Sequence, residues 1–340
     1  MLDERKMLVL RAIIDDYILS AEPVGSRSIA RKHNLGVSPA TIRNEMADLE
    51  ETGYLQQPHV SAGRVPSDKG YRFYVDMLME PEPISSEARQ RIHAIVLNRR
   101  QEIEKLIQET SQILSLLTNY TSIVIAPPVK TCVLRHIQMV PLDDHTILVV
   151  MVLQPGMVQN KIIRTDRVHS AAELSRMSLV LNDKLRGMTY RDIGKSLVRE
   201  IRAELGDIGE ALLEIVSDEL ANSGEEHIYL NGTLHIFNQP EFKDIERARL
   251  LLSVLEKKDV ITALFFELAR SVGVQAAIGH ENSCSEMQDC SVVTATYQMG
   301  GEVIGAIGVI GPTRMEYAKV FSTVELLANA LSEILSDLVK

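Results

Sequence analysis

The chain has 340 residues, of which 45% are hydrophobic and 24% charged, and its formal net charge is −10 at pH 7. This composition excludes a disordered or fibrous chain and is typical of a globular protein of two or three domains. No apolar run approaches the ~20 residues that span a bilayer. The charged start Asp3-Glu4-Arg5-Lys6 is unlike a signal peptide, so we expect a cytoplasmic protein with no membrane partner.

A helix-turn-helix is predicted near the start of the chain. Apolar residues at helical spacing predict a first helix over Leu2–Ser20. A short basic helix at Ser26–His33 is followed by a turn at Asn34–Val37, where Asn and Gly tolerate left-handed backbone angles. The next helix, Pro39–Thr52, has Ser38 as its N-cap and Pro at its first position. A helix presented in this way is the one that enters the major groove of DNA.

The two faces of the Pro39–Thr52 helix differ in character. Ile42, Met46 and Leu49 form an apolar stripe that predicts burial in a core. The opposite face carries residue types suited to base edges, because Asn pairs with adenine, Arg pairs with guanine and small apolar groups pack on thymine methyls. The predicted base-reading residues are Ala40, Thr41, Arg43, Asn44 and Ala47.

Basic residues concentrate around this helix. Four Arg or Lys residues and no acidic residue lie between Pro23 and Asn44. Residues 1–78 hold 10 basic and 11 acidic residues, against 36 and 46 in the whole chain, so most of the net negative charge lies elsewhere. Such a surface suits the phosphates of DNA. The alternative is an ordinary helical hairpin with a solvated basic face.

A wing hairpin is predicted directly after the recognition helix. Short strands at Tyr54–Gln57 and Arg64–Pro66 flank the turn-rich segment Pro58–Gly63. Its tip would bring Arg64 and His59 toward phosphates or the minor groove, although a solvated loop histidine explains His59 equally well. The predicted DNA-backbone contacts are Arg27, Arg31, Lys32, Ser38, His59 and Arg64.

The rest of the chain alternates between helical and strand patterns. A helix at Asp68–Met79 is followed by a break at Glu80–Pro83, where we place the first domain boundary. Further helices are predicted at Ser86–Thr118, Ala171–Leu185, Tyr190–Leu205, Ile208–Asn222, Phe242–Glu256, Asp259–Arg270 and Tyr317–Val339. Strands are predicted at Ser122–Ala126, Val133–Val140, Thr146–Leu153, Val158–Arg164, His227–Leu230, Thr233–Phe237, Val274–Gly279, Ser291–Tyr297 and Val303–Ile310.

An enzyme is the first alternative to a DNA-binding protein. The candidate groups are His136, His145, His280, Asp143, Asp144 and Glu281. They match no triad, metal set or nucleophile elbow, so we expect no catalysis and no cofactor. Cys132, Cys284 and Cys290 lack the spacing of a zinc site and are too few for a disulfide framework. A transcription factor that senses a small molecule in its C-terminal part is the second alternative.

Pro23–Asp76 resembles the heat-inducible transcription repressor family, HrcA. The resemblance is carried by Val24-Gly25-Ser26, by Ser38–Asn44, by Ser61–Arg64 and by Gly70-Tyr71-Arg72. It implies a repressor that binds a palindromic operator of chaperone operons, with its activity maintained by a GroEL-type chaperonin.

The expected fold class is multidomain α+β. Residues 1–80 are predicted to form a winged helix-turn-helix. The strand and glycine pattern of Cys290–Lys340 looks like the end of a GAF-type domain. The family resemblance implies that this domain, at 84–166 and 271–340, is interrupted at 167–270 by a mainly helical dimerising domain. A homodimer is also expected because one recognition helix reads too few bases for operator-level affinity.

Overall fold

Three helices surround a small core at the start of the chain. The computed structural model describes residues 2–60, 62–87, 89–90, 92, 103–126, 132–154, 157–189, 192–194, 196–206, 208–209, 227–268 and 273–337. The helices are α1 (Glu4–Ser20), α2 (Ser26–Lys32) and α3 (Pro39–Glu51). The predicted apolar stripe of α3 is buried against α1 and α2, which confirms the helix and its orientation.

A short hairpin follows α3. Strands β1 (Leu55–Gln56) and β2 (Val65–Pro66) pair antiparallel, as the wing pattern predicts. Helix α4 (Asp68–Phe73) then continues as a π-helical turn over Tyr74–Leu78. We call the elements between Glu4 and Leu78 the head.

A five-stranded antiparallel sheet forms the centre of the second unit. Its strands are β3 (Thr121–Ile125), β7 (Ile228–Asn231), β8 (Gln275–Ile278), β9 (Cys290–Met299) and β10 (Glu302–Pro312). Their order is β7-β3-β10-β9-β8. We call this sheet and its helices the body.

Both faces of the body sheet are covered by helices. Helices α5 (Ile103–Thr118) and α9 (Tyr317–Asp337) pack on one face, where Val124 and Ile307 are buried. Helices α7 (Ile245–Leu255) and α8 (Lys258–Leu268) pack on the other, where Ile123 and Ile310 are buried. The strands are apolar on both faces for this reason.

A separate three-stranded sheet lies between β3 and β7 in the chain. Strands β4 (Val133–Pro141), β5 (Thr146–Gln154) and β6 (Met157–Arg164) pair in that order. Helix α6 (Ala171–Leu185) packs on one face, where the Ser178 hydroxyl accepts a hydrogen bond from the Met139 amide at 3.0 Å. Residues 196–206 are also helical. We call this unit the insert.

The sheet arrangement differs from the sequence-based expectation in two respects. The strands over 133–164, which we assigned to the GAF-like domain, pair only with one another among the described strands. Helices α7 and α8, which we assigned to the inserted domain, pack on the body sheet. The reason is that alternation predicts a strand but does not say which partner it pairs with.

Several predicted elements also differ locally. The segment predicted as a strand at Thr233–Phe237 is a 3-10 helix over Thr233–Asn238, which begins after Gly232 at a φ of 71°. The predicted Phe242–Glu256 helix begins later, because Asp244 caps α7. The Ile208–Asn222 helix and the start of the Ser86–Thr118 helix lie largely outside the described residues. Within the described part of the chain, no helix combines the length and hydropathy needed to cross a membrane.

Candidate nucleic-acid interface

Helix α3 presents its predicted reading face to solvent. Ala40, Arg43, Asn44 and Ala47 are exposed, whereas Thr41 is half-buried. The Thr41 amide donates to Ser38 Oγ at 3.1 Å, and the two hydroxyls lie 3.0 Å apart. Ser38 therefore fixes the first turn of α3 as its N-cap, which holds the reading face in place.

Two of the four acidic residues of α3, Glu45 and Asp48, are paired with cations of α1. Glu45 lies 3.4 Å from Arg5, and Asp48 lies 3.1 Å from Lys6. The hydrogen bond to Asp48 raises the pKa of Lys6, so Lys6 stays charged at neutral pH. These pairs offset the negative charge beside Arg43, a compensation that the sequence analysis missed.

Helix α2 adds three exposed cations. Arg27, Arg31 and Lys32 are all exposed. Lys32 lies 3.0 Å from the buried carboxylate of Asp16, which also lies 3.2 Å from the His33 ring. Arg27, Arg31 and Arg43 make no side-chain ion pair with any described residue. Their charges are therefore free to meet an anion.

The wing is tightly built around one glycine. Val24 and Arg64 exchange two backbone hydrogen bonds, of 2.9 and 2.8 Å. A Cβ on Gly63 would overlap the Val24 carbonyl, so only glycine fits there. The side-chain amide Nε2 of Gln57 donates to the backbone carbonyls of Val60 and Ala62 and closes the tip.

The two predicted wing contacts lie in different settings. His59 is exposed at the tip, beside Val60, which is 98% exposed. The Arg64 side chain is only 19% exposed and its guanidinium lies 2.7 Å from Glu50 of α3. Arg64 therefore joins the wing to α3, a contact between residues too far apart in the chain to be predicted from the sequence.

The groups considered for catalysis are divided between the insert, where Asp143 accepts a hydrogen bond from the backbone amide of His145 at 2.9 Å, and the body. His145 contacts the Thr165 carbonyl in the insert, while His280 and Glu281 lie in the body against the head. Among the described residues, no three His, Cys, Asp or Glu side chains are arranged to hold a metal ion. Burial raises the pKa of Cys132 to about 11 and that of Cys290 to about 12, so both thiols stay protonated at neutral pH.

Comparison with known proteins places this architecture in a family. Residues 104–321 match the family described as HrcA protein C terminal domain. The heat-inducible transcription repressor HrcA of Pelotomaculum thermopropionicum is 44% identical over 342 aligned positions, covering 100% of this chain and 98% of the relative. The chain belongs to the HrcA family. HrcA of Carboxydothermus hydrogenoformans is 45% identical, covering 99% of both chains.

Within the HrcA family the whole chain is matched, head included. The C-terminal-domain match leaves out the head, but the alignments with whole relatives extend over it. A crystal structure of a hypothetical protein, 23% identical, has a TM-score of 0.72 and covers 99% of this chain and 100% of that one. At that identity the likeness supports the multidomain α+β fold. HrcA is a family of transcription repressors and not one of enzymes.

Proposed function

We propose that this chain is a heat-inducible transcription repressor that binds an inverted-repeat operator of chaperone genes as a dimer. The observation that carries the proposal is the exposed face of α3, with Arg43 and Asn44 opposite a buried stripe. The named relatives, heat-inducible transcription repressors, support it. In this proposal Ala40, Thr41, Arg43, Asn44 and Ala47 read bases, whereas Arg27, Arg31, Lys32, Ser38, His59 and Arg64 meet the backbone.

Dimerisation is proposed through the insert. The sheet face opposite α6 carries one wholly apolar cross-strand row, formed by Val140, Leu148 and Ile162. Val158 is 52% exposed and Ile162 64% exposed, although both are large and apolar. An apolar sheet face of this kind is usually covered by a partner, and a second copy can cover it symmetrically.

The domain edges are proposed from the sheet topology. Strands β3 and β7 are neighbours in the body sheet, with Ile125 opposite Ile228. The chain therefore leaves the body after β3 and returns to it at β7. We propose that the inserted dimerising unit occupies this excursion, in place of the 167–270 edges expected from the sequence.

A GroEL-type chaperonin is the proposed partner that maintains repressor activity. The support is the resemblance of Pro23–Asp76 to the repressor family. The measurement is operator occupancy after refolding of the protein with and without a purified chaperonin. Equal occupancy in both would count against this partner.

DNA binding is tested by fluorescence anisotropy on a duplex from a chaperone-operon promoter. The full-length protein should bind its inverted repeat at least about 10³-fold more tightly than a scrambled duplex of the same length and salt. Equal affinity for the two duplexes would overturn the proposal. A second control is a duplex of the same base composition in which one half-site is rearranged so that the repeat is no longer inverted.

A further inference from the structure

The Gly70-Tyr71-Arg72 motif faces the body of the protein. Arg72 donates from Nε to Glu281 Oε1 at 2.8 Å, and its Nη2 also contacts Glu281. The same Nη2 donates to the Ala276 carbonyl at 2.6 Å. Its Nη1 donates to Asp76 Oδ1 of the head at 3.1 Å. The guanidinium of this head residue thus contacts two groups of the body and one carboxylate of the head, and the DNA-binding role proposed above does not account for these contacts.

Asp68, at the start of α4, makes a second contact between the units. Its carboxylate accepts a hydrogen bond from the His280 amide at 3.0 Å, and its Oδ2 lies 2.7 Å from His280 Nδ1. Gly279 has a φ of +55°, and a Cβ there would overlap the Asp68 carboxylate. The body turn over Gly279–Glu281 therefore fits closely against α4.

A third contact holds the end of α1. Arg314 of the body donates to the Ile18 carbonyl, one of the last carbonyls of α1, and lies 2.7 Å from Glu241. Between this contact and the α4 contacts, Tyr71 is buried with its ring 5.8 Å from that of Tyr317. Two helices of the head are thus held on the body at separate points, which restrains rotation of the head.

We propose that Asp68, Arg72 and Arg314 are positioning residues that fix the head on the body and thereby set the half-site spacing that the dimer accepts. This inference rests on the proposed function as a dimeric operator-binding protein. Two heads must match the distance and the helical phase of their half-sites, and each added base pair turns the second site by about 35°. If the head is held on the body at two points, only half-sites at the matching distance and helical phase can be bound together. A loosely tethered head would instead adapt to many spacings.

The test reverses the charges of the ion pair between Arg72 of the head and Glu281 of the body. Arg72→Glu and Glu281→Arg each place like charges together, and the double variant restores an ion pair. Asp76→Asn is the matched control, because it removes a carboxylate from the same guanidinium but within the head. Affinity is measured by anisotropy on inverted repeats whose spacer is shortened or lengthened by one to five base pairs, and on a single half-site.

Wild type and Asp76→Asn should lose roughly a hundredfold in affinity when the spacer puts the half-sites out of phase, because simultaneous engagement is lost. The single charge reversals should vary by less than about threefold over the same spacers, and the double variant should regain the steep profile. Affinity for the single half-site should be unchanged in all four variants. Reversals that keep the wild-type spacer profile would overturn the inference.

Hydrogen exchange without DNA gives an independent measurement. The His280 amide is bonded to Asp68, so the peptide spanning Ala276–Asn282 should exchange about tenfold faster in the single reversals and at the wild-type rate in Asp76→Asn. Unchanged exchange in the reversals would show that these contacts do not hold the head and would overturn the inference. If wild type bound no duplex selectively, the proposed function would fail and the spacing inference with it, while the exchange result would still decide whether the head is held.

Discussion

Two of the side chains that we propose to read bases, Arg43 and Asn44, are neighbours on α3. Both side chains are exposed, and Arg43 has no ion-pair partner among the described residues. Arg43 can therefore meet DNA without first breaking an ion pair. Arg43→Ala or Asn44→Ala should lose about 1–3 kcal/mol of operator affinity and relax preference at one or two base pairs per half-site. Affinities for a panel of single-base operator variants measure this. Equal weakening on operator and scrambled DNA would contradict the assignment.

Arg64 is paired with Glu50, whereas Arg27 has no ion-pair partner among the described residues, so we expect the two arginines to contribute differently to DNA binding. Arg27→Ala should lower the slope of log affinity against log salt by about one unit on every sequence, because a phosphate contact is lost. Arg64→Ala should lower it less, since Glu50 already offsets that charge at 2.7 Å. Glu50→Gln should strengthen binding to all sequences by freeing Arg64. A salt titration of the three variants distinguishes them, and a weaker Glu50→Gln protein would contradict this prediction.

At the scale of elements, the wing depends on close backbone approach. Gly63→Ala should cost about 1–3 kcal/mol of unfolding free energy, because the added methyl meets the Val24 carbonyl and the strands must shift. Gly25→Ala is the matched control, since a Cβ there meets nothing within 4 Å. Urea unfolding of both variants provides the measurement. Equal losses would show that the close approach is not what limits the wing.

Local sequence patterns predicted the helices and strands better than they predicted which of these elements contact one another. The limits and buried face of α3 could be predicted because Ser38, Pro39 and the 3.6-residue period act within one helix. The Arg64–Glu50 pair and the contacts of Asp68 with His280 could not, because their members lie far apart in the chain and meet only in the folded protein. The separation of insert and body was missed for the same reason.

At the scale of the whole molecule, the dimer is expected to depend on the insert sheet. Val158→Lys and Ile162→Lys should each shift the protein toward monomers, because a charge on the apolar face is costly to bury. Leu179→Lys is the control, since Leu179 is 70% exposed on α6. Sedimentation velocity measures the state. A monomer from Leu179→Lys alone would place the interface on α6 instead.

The positions of the head's anchors in the chain have a consequence for synthesis. His280, Glu281 and Arg314 all belong to the last quarter of the 340 residues, whereas the head is made first. Domains generally fold as units while the ribosome is still translating. A nascent chain therefore carries a folded head before the residues that orient it exist. In the function proposed above, the head can meet DNA at that stage, but the orientation that we propose for paired half-sites is fixed only when translation is nearly complete.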